Sequence, residues 1–267
     1  MRRGSKVLLS LLTVATVCTS PLFGQSFEGM RPTGEHLQGY LQDTADLYRD
    51  ILPAPPAAGS AEDQFDLAAI NTLQATTTDE RWQDARADER LLYPRFVDAL
   101  GSPIDRARSP QLVTLLNRTE QDVLAPTGAA KNVFQRPRPF QRMQLKRLCG
   151  NRPAPPPDPN PKERSSYPSG HTAVGWMAAL VLAQVAPERA PEILSRALDY
   201  GFSREICGMH FPSDVAAGRM LATVVFEHLA ADPDFQKDVA CARAERAALS
   251  AGGPAASCVV PLQPTKK

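Results

Sequence analysis

A chain of 267 residues with a formal net charge of +1 is long enough for one domain with a full hydrophobic core. Its balance of charge excludes the broad basic field of a nucleic-acid binder or of a protein drawn to acidic membranes. Aromatic residues make up only 6% while alanine and leucine are plentiful, which favours helices over a β-sandwich. Any anion that this protein recognises must be met by cations placed locally.

In chain order, the first two dozen residues read as a secretory leader. Arg2, Arg3 and Lys6 precede an apolar run from Val7 to Val17, too short to span a bilayer and of the length of a signal h-region. Cleavage is expected between Ser20 and Ser26, with Gly24 the small residue before the cut, so residues 1–24 are the leader and 25–267 the mature domain. The product is then periplasmic or secreted. Cys18 raises lipidation, but the bulky Val17 stands where a small side chain is wanted. The mature chain keeps Cys149, Cys207, Cys241 and Cys258, an even number that in an exported protein implies disulfides, with three connectivities open. Cys241 with Cys258 is the preferred pair, stapling the tail to the last helix, and Cys149 then joins Cys207. No Cys-x-x-Cys occurs, which argues against structural zinc.

A leading segment over 27–60 ends in prolines (Pro53, Pro55, Pro56). Ser60 is a good N-cap, followed by Glu62 and Asp63 and by apolar residues at helical spacing through Leu73. A break over 76–79 precedes a charged helix over 80–89, and Leu91 to Leu100 predicts a further helix stopped by Gly101. Helical periodicity returns over 109–124. A separate helix is expected from Gly128 to Gln135, ended by Pro137 and Pro139. The loop over 149–164 is dense in proline within 152–161, and reads either as a surface linker or as a rigid flap. Apolar helices follow over 170–185 and 189–204, split by Ala186-Pro187. Another runs from Pro212, well suited to N1, to Ala230, and a last one covers 233–248. Residues 249–267 are an irregular tail. No mature segment offers 18 uninterrupted apolar residues, so no transmembrane span is expected. The reading is an all-α, single-domain bundle.

Three motifs carry the chemistry: Lys131-x6-Arg138-Pro139, Pro168-Ser169-Gly170-His171, and Ser203-Arg204-x5-His210-x3-Asp214. Ser169-Gly170-His171 sits where a loop enters a helix, and free N–H groups and the helix dipole make such an end a phosphate seat. Gly170 admits close backbone approach, and Ser169 can donate its hydroxyl. Lys131 lies two helical turns before Arg138, with Arg136 a competing cation that only the spacing disfavours. Asp214 falls one turn after His210, close enough to orient its imidazole by a hydrogen bond, the orienter-plus-base arrangement of nucleophilic sites. Cations, two imidazoles and one carboxylate suit phosphoryl transfer through a histidine.

These motifs resemble the type 2 phosphatidic acid phosphatase (PAP2) superfamily. Wider strings resemble its bacterial class A non-specific acid phosphatases: Ser60-x3-Gln64-Phe65-Asp66, Arg81-Trp82-x2-Ala85, Arg136-Pro137-Arg138-Pro139-Phe140, Ser166-Tyr167-Pro168-Ser169-Gly170-His171-Thr172 and Ser203-Arg204-Glu205-Ile206-Cys207-Gly208-x-His210. Ser166 stands where that class usually has glycine. The resemblance implies a helical bundle of the PAP2 and haloperoxidase type and an acid phosphatase acting on small phosphate monoesters without metal or cofactor, often as a dimer or larger assembly. It implies His210 as nucleophile, Asp214 holding its other ring nitrogen, and His171 as the acid for the leaving group. Lys131, Arg138, Ser169, Gly170 and Arg204 are then the phosphate ligands. A vanadium-dependent haloperoxidase shares this ligand set and is one alternative. A non-catalytic phosphate-binding protein is another, although binding alone needs neither nucleophile nor acid. Opposed protonation needs of His210 and His171 predict a bell-shaped profile with a mildly acidic optimum.

Overall fold

The computed structural model describes residues 37–90, 92–149, 165–253 and 258. The expected leader over 1–24 with Cys18, the proline-rich run over 152–161 and nearly all of the tail lie outside the described residues.

Helix α1 (Ala61–Thr76) starts where expected, with the Ser60 hydroxyl accepting the Asp63 N–H at 3.2 Å. The charged helix α2 (Asp79–Arg90) follows after a short break. The single helix expected over 91–100 is instead a 3-10 turn, Tyr93–Phe96, running into one α-turn, Val97–Leu100. Pro94 has no N–H to give to an α-type bond, so the segment tightens before it can become helical. Gly101, at φ 71°, ends it.

Helix α3 (Pro110–Phe134) corrects a second expectation, because it is one helix of 25 residues and not two. Pro126 lies inside it and removes one backbone donor. Its neighbours Val123, Thr127 and Ala130 are all buried, and the Thr127 hydroxyl donates to the Val123 carbonyl at 2.7 Å. Tertiary packing on both sides of the proline outweighs the single lost bond. At ~1.5 Å per residue the helix is about 37 Å long, and its last turn delivers Lys131. Gln135, left-handed at φ 45°, closes it.

After the single turn Pro139–Arg142 come α4 (Gly170–Val185), α5 (Ala190–Ile206), α6 (Pro212–Ala230) and α7 (Pro233–Ser250). Helix α4 is the centre: α3, α5 and α6 pack around it, while α7 lies against α3 and α4 and α2 against α5. Its side chains are mostly apolar because most of its surface is covered, with Trp176, Leu180 and Gln184 only partly buried along one face. Two glycines set the spacing. A Cβ on Gly175 would stand 2.5 Å from the Tyr200 ring, bringing α4 and α5 together, and one on Gly218 would stand 2.6 Å from the Ser169 carbonyl. Gly218 thus lets α6 touch the loop that feeds α4. Both preferred disulfides are formed, Cys149–Cys207 and Cys241–Cys258. No strand occurs among the described residues, and none of their helices is long and apolar enough to cross a membrane.

Candidate active site

Four chain segments meet at one end of α4: the last turn of α3, the Ser165–Ser169 approach, the end of α5 and the start of α6. Pro137 and Pro139 carry the chain out of α3. The Gln141 side chain accepts the Arg138 N–H at 2.7 Å, which fixes where Arg138 leaves the backbone. Its Nη1 then donates to the Met209 carbonyl at 2.9 Å and lies 3.1 Å from His210 Nε2. At the end of α5, Gly208 adopts φ 67°, which an L side chain resists. The turn folds Met209 and His210 back so that both N–H groups meet the Arg204 carbonyl, at 3.1 and 3.3 Å.

His210 is 2% exposed, and both its ring nitrogens are engaged. Nδ1 lies 2.7 Å from the Ser166 carbonyl. A carbonyl can only accept, so Nδ1 carries the hydrogen and Nε2 keeps its lone pair toward the Arg138 guanidinium. The expected hydrogen bond from Asp214 is not made. Asp214 Oδ2 stands 3.8 Å from Nδ1, beyond hydrogen-bond reach, because its oxygens are taken elsewhere. Oδ1 accepts from Arg136 Nη1 at 2.6 Å, and Oδ2 accepts the Phe211 N–H at 2.7 Å.

The remaining expected residues converge on the same place. The buried Lys131 ammonium donates to the Ser165 carbonyl at 2.8 Å. Ser169 caps α4, its oxygen accepting from the Thr172 hydroxyl at 2.9 Å, which leaves its own hydrogen able to turn to an anion. Gly170 is the first residue of α4. Arg204, 1% exposed, packs against the Cys149–Cys207 disulfide, with Nη1 3.9 Å from Cys207 Sγ. His171 Nε2 lies 3.3 Å from the Glu89 carbonyl at the end of α2.

Burial and mutual repulsion set the electrostatics. Burial first, then Arg204 and His210, hold the His171 imidazole well below its ordinary range. Burial, then Arg138 and Lys131, do the same to His210. Burial and Arg138 also depress Lys131. Burial pushes the Asp214 carboxyl up, against the pull of Arg136. His171, His210 and Lys131, which all resist carrying positive charge, are gathered with Arg138 and Arg204 in one buried spot, and that makes a place where an anion is strongly favoured.

Several contributors were not singled out from the sequence. Arg136, the disfavoured competitor of Arg138, is bound to Asp214, to Asp66 at 2.8 Å and to the Ser213 hydroxyl at 2.7 Å. Asp66 also accepts from the Ser213 hydroxyl. The doublet Arg136-Pro137-Arg138-Pro139 was the available signal, with one arginine facing the carboxylates and the other the imidazole. The Ser166 and Glu89 contributions are backbone carbonyls, which no side-chain pattern encodes.

Comparison with known proteins agrees with this geometry. The PAP2 superfamily model matches residues 114–235, a span that holds Lys131, Arg138, His171, Arg204, His210 and Asp214. The chain is 36% identical to a non-specific acid phosphatase of Providencia stuartii over 205 residues, 74% of this chain and 80% of that one. It is 35% identical to a non-specific acid phosphatase of Salmonella typhimurium (73% and 78% covered) and 34% identical to an acid phosphatase of Zymomonas mobilis (73% of each). The chain belongs to the PAP2 superfamily and is an acid phosphatase.

Proposed function

We propose that the protein hydrolyses small phosphate monoesters in two displacements at His210, outside the cytoplasm and without a metal. The observation that carries this reading is the fixed imidazole: Nδ1 is held on the Ser166 carbonyl while Nε2 presents its lone pair beside Arg138. In the first step Nε2 attacks phosphorus and the ester P–O bond breaks, with His171 giving its proton to the departing oxygen. In the second, His171 takes a proton from water, the water oxygen attacks phosphorus, and the P–N bond breaks to release inorganic phosphate. Lys131, Arg138 and Arg204, with the Ser169 hydroxyl and the Gly170 amide, meet the equatorial oxygens where charge spreads. These cations supply the neutralisation that metal ions supply in other phosphatases.

Export is supported by the charged and apolar N-terminal stretch and by the two disulfides, which persist in oxidising compartments. The reading is tested by hydrolysis of p-nitrophenyl phosphate with excess chelator, for the wild type and His210→Ala. Turnover that survives chelation and disappears in the variant is expected. Turnover that the chelator abolishes would contradict the metal-free mechanism.

A further inference from the structure

Two groups face His210 Nδ1, the Ser166 carbonyl within hydrogen-bond reach and the Asp214 carboxylate beyond it, and both lead back to one residue, Arg136. The first route runs through the side chain. Arg136 Nη1 holds Asp214 Oδ1 at 2.6 Å, and the other oxygen of that carboxylate stands 3.8 Å from His210 Nδ1. The second runs through the backbone. The Arg136 carbonyl accepts the Ser166 N–H at 2.8 Å, and the Ser166 carbonyl takes the Nδ1 hydrogen of His210 at 2.7 Å. Arg136 is itself anchored away from the phosphate seat, by Asp66 at 2.8 Å and by stacking over the Phe211 ring at 4.4 Å. Asp66 is buried on α1, which therefore reaches the nucleophile through one guanidinium.

We propose that Arg136 is the positioning residue of the nucleophile: through Ser166 it fixes the tautomer and aim of His210, and through Asp214 it sets a carboxylate beside the ring, without touching the phosphate. This rests on the assignment of His210 as nucleophile. The two arginines of the Arg-Pro-Arg-Pro string then have separate tasks. Arg138 faces Nε2, where phosphorus must arrive. Arg136 lies on the Nδ1 side, where the imidazole is held. Once phosphorus is bonded to Nε2 the ring becomes cationic, and Asp214, held in place by Arg136, lies on its Nδ1 side. A lysine at 136 keeps the charge but lacks the planar fork that spans Asp214 and Asp66 together.

The test compares wild type, Arg136→Lys and Asp66→Asn, measuring kcat and KM for p-nitrophenyl phosphate and Kd for inorganic phosphate. Wild-type turnover must be present first; its absence would remove the phosphatase mechanism itself and not this role. Given that, Arg136→Lys is expected to lower kcat at least 10-fold while phosphate Kd changes less than 3-fold. Asp66→Asn, which leaves Arg136 in place but takes away its anchor, is expected to show the same split at 3- to 10-fold. Equal loss of kcat and of phosphate affinity would overturn the proposal, since it would make Arg136 part of the phosphate seat, and so would unchanged kcat in both variants. Should either variant fail to fold, nitrogen-15 NMR of histidine-labelled wild type decides: His210 with hydrogen on Nδ1 is expected, and hydrogen on Nε2 would overturn the Ser166 route.

Discussion

His210 and Asp214 lie one helical turn apart in sequence, yet their side chains stop 3.8 Å short of a hydrogen bond. The carboxylate is held by Arg136 and by the Phe211 amide, so its charge can reach the imidazole only through space. A buried charge at this distance still favours a cationic ring by an amount that matters for the phosphohistidine. Asp214→Asn keeps the acceptor for Phe211 but removes the charge and leaves Arg136 with one ion-pair partner fewer. We expect kcat to fall roughly 100-fold, at the low end of acid–base effects, and stability to drop by about 3 kcal/mol, as for other broken buried pairs. Steady-state kinetics and thermal melts of the variant check both.

The depressed imidazoles fix how stability depends on pH. Both His171 and His210 have folded-state values below their ordinary range, so the unfolded chain takes up protons first as pH falls. Their contribution is fully present above about pH 6.5, the ordinary histidine value, and is lost progressively below it. The raised carboxyls of Glu205, at about 7, and Asp122, at about 6, act in the opposite direction over this range, so the histidine contribution is read as a difference: the Tm change between pH 7 and pH 5 should be more unfavourable in the phosphate-free wild type than in a His171→Gln variant. Equal slopes would contradict the assignment.

A dianionic substrate should relieve part of the His171 depression. Burial, its largest cause, persists in the complex, but Arg204 and Arg138, which add to it, are then matched by phosphate, so His171 should hold its proton to higher pH when substrate is bound. The alkaline limb of kcat, which reports the complex, should lie at higher pH than the alkaline limb of kcat/KM, which reports the free enzyme. Full profiles over pH 4 to 9 measure the separation.

Phosphate should stabilise the fold as well as inhibit the enzyme. Lys131, Arg138 and Arg204 are all buried, and at 100-fold excess over Kd a ligand adds about 2.7 kcal/mol. For a domain of this size that corresponds to a rise of roughly 5 to 10 °C in Tm. Arg204→Lys should lose most of the rise, because a point charge does not replace a guanidinium fork.

Two further sites separate packing from chemistry. Gly218→Ala places a methyl 2.6 Å from the Ser169 carbonyl, and overpacking of this kind costs about 1–3 kcal/mol; it should also lower kcat, because Ser169 leads into α4. Gly170→Ala meets only Thr127 and Lys131, at 3.7 and 3.8 Å, and should melt close to wild type. The Cys149–Cys207 bridge closes 58 residues, for which chain entropy gives roughly 4 kcal/mol. Cys149→Ser with Cys207→Ser should lose a comparable amount in denaturant titrations, and should also weaken phosphate binding, because Arg204 packs on Cys207.

Much of the bundle was legible in the sequence because local rules govern it. Ser60, Gly101, Pro212 and the prolines after Phe134 mark helix ends through backbone chemistry alone. Lys131, Arg138, His171, Arg204 and His210 stand out as motif residues, but the turn at Gly208 and the packing of α3, α4 and α5 bring them together. The segments expected over 109–124 and 128–135 form one helix because the burial of Val123, Thr127 and Ala130 outweighs the backbone bond lost at Pro126. The Leu91–Leu100 helix misled because Pro94 acts locally and the apolar pattern conceals it. Asp66 lies 70 residues before Arg136, and a pairing at that separation leaves no periodic trace. The Ser166 carbonyl is invisible in principle, being a backbone atom that serves whatever the side chain is.

The most direct test of the mechanism is rapid acid-free quenching of the enzyme with a phosphorus-32 monoester, followed by mapping of the labelled peptide. We predict label on His210 that accumulates within one turnover, is acid-labile and is absent from His210→Ala. Turnover with no phosphoenzyme at any time, or label on another residue, would contradict it.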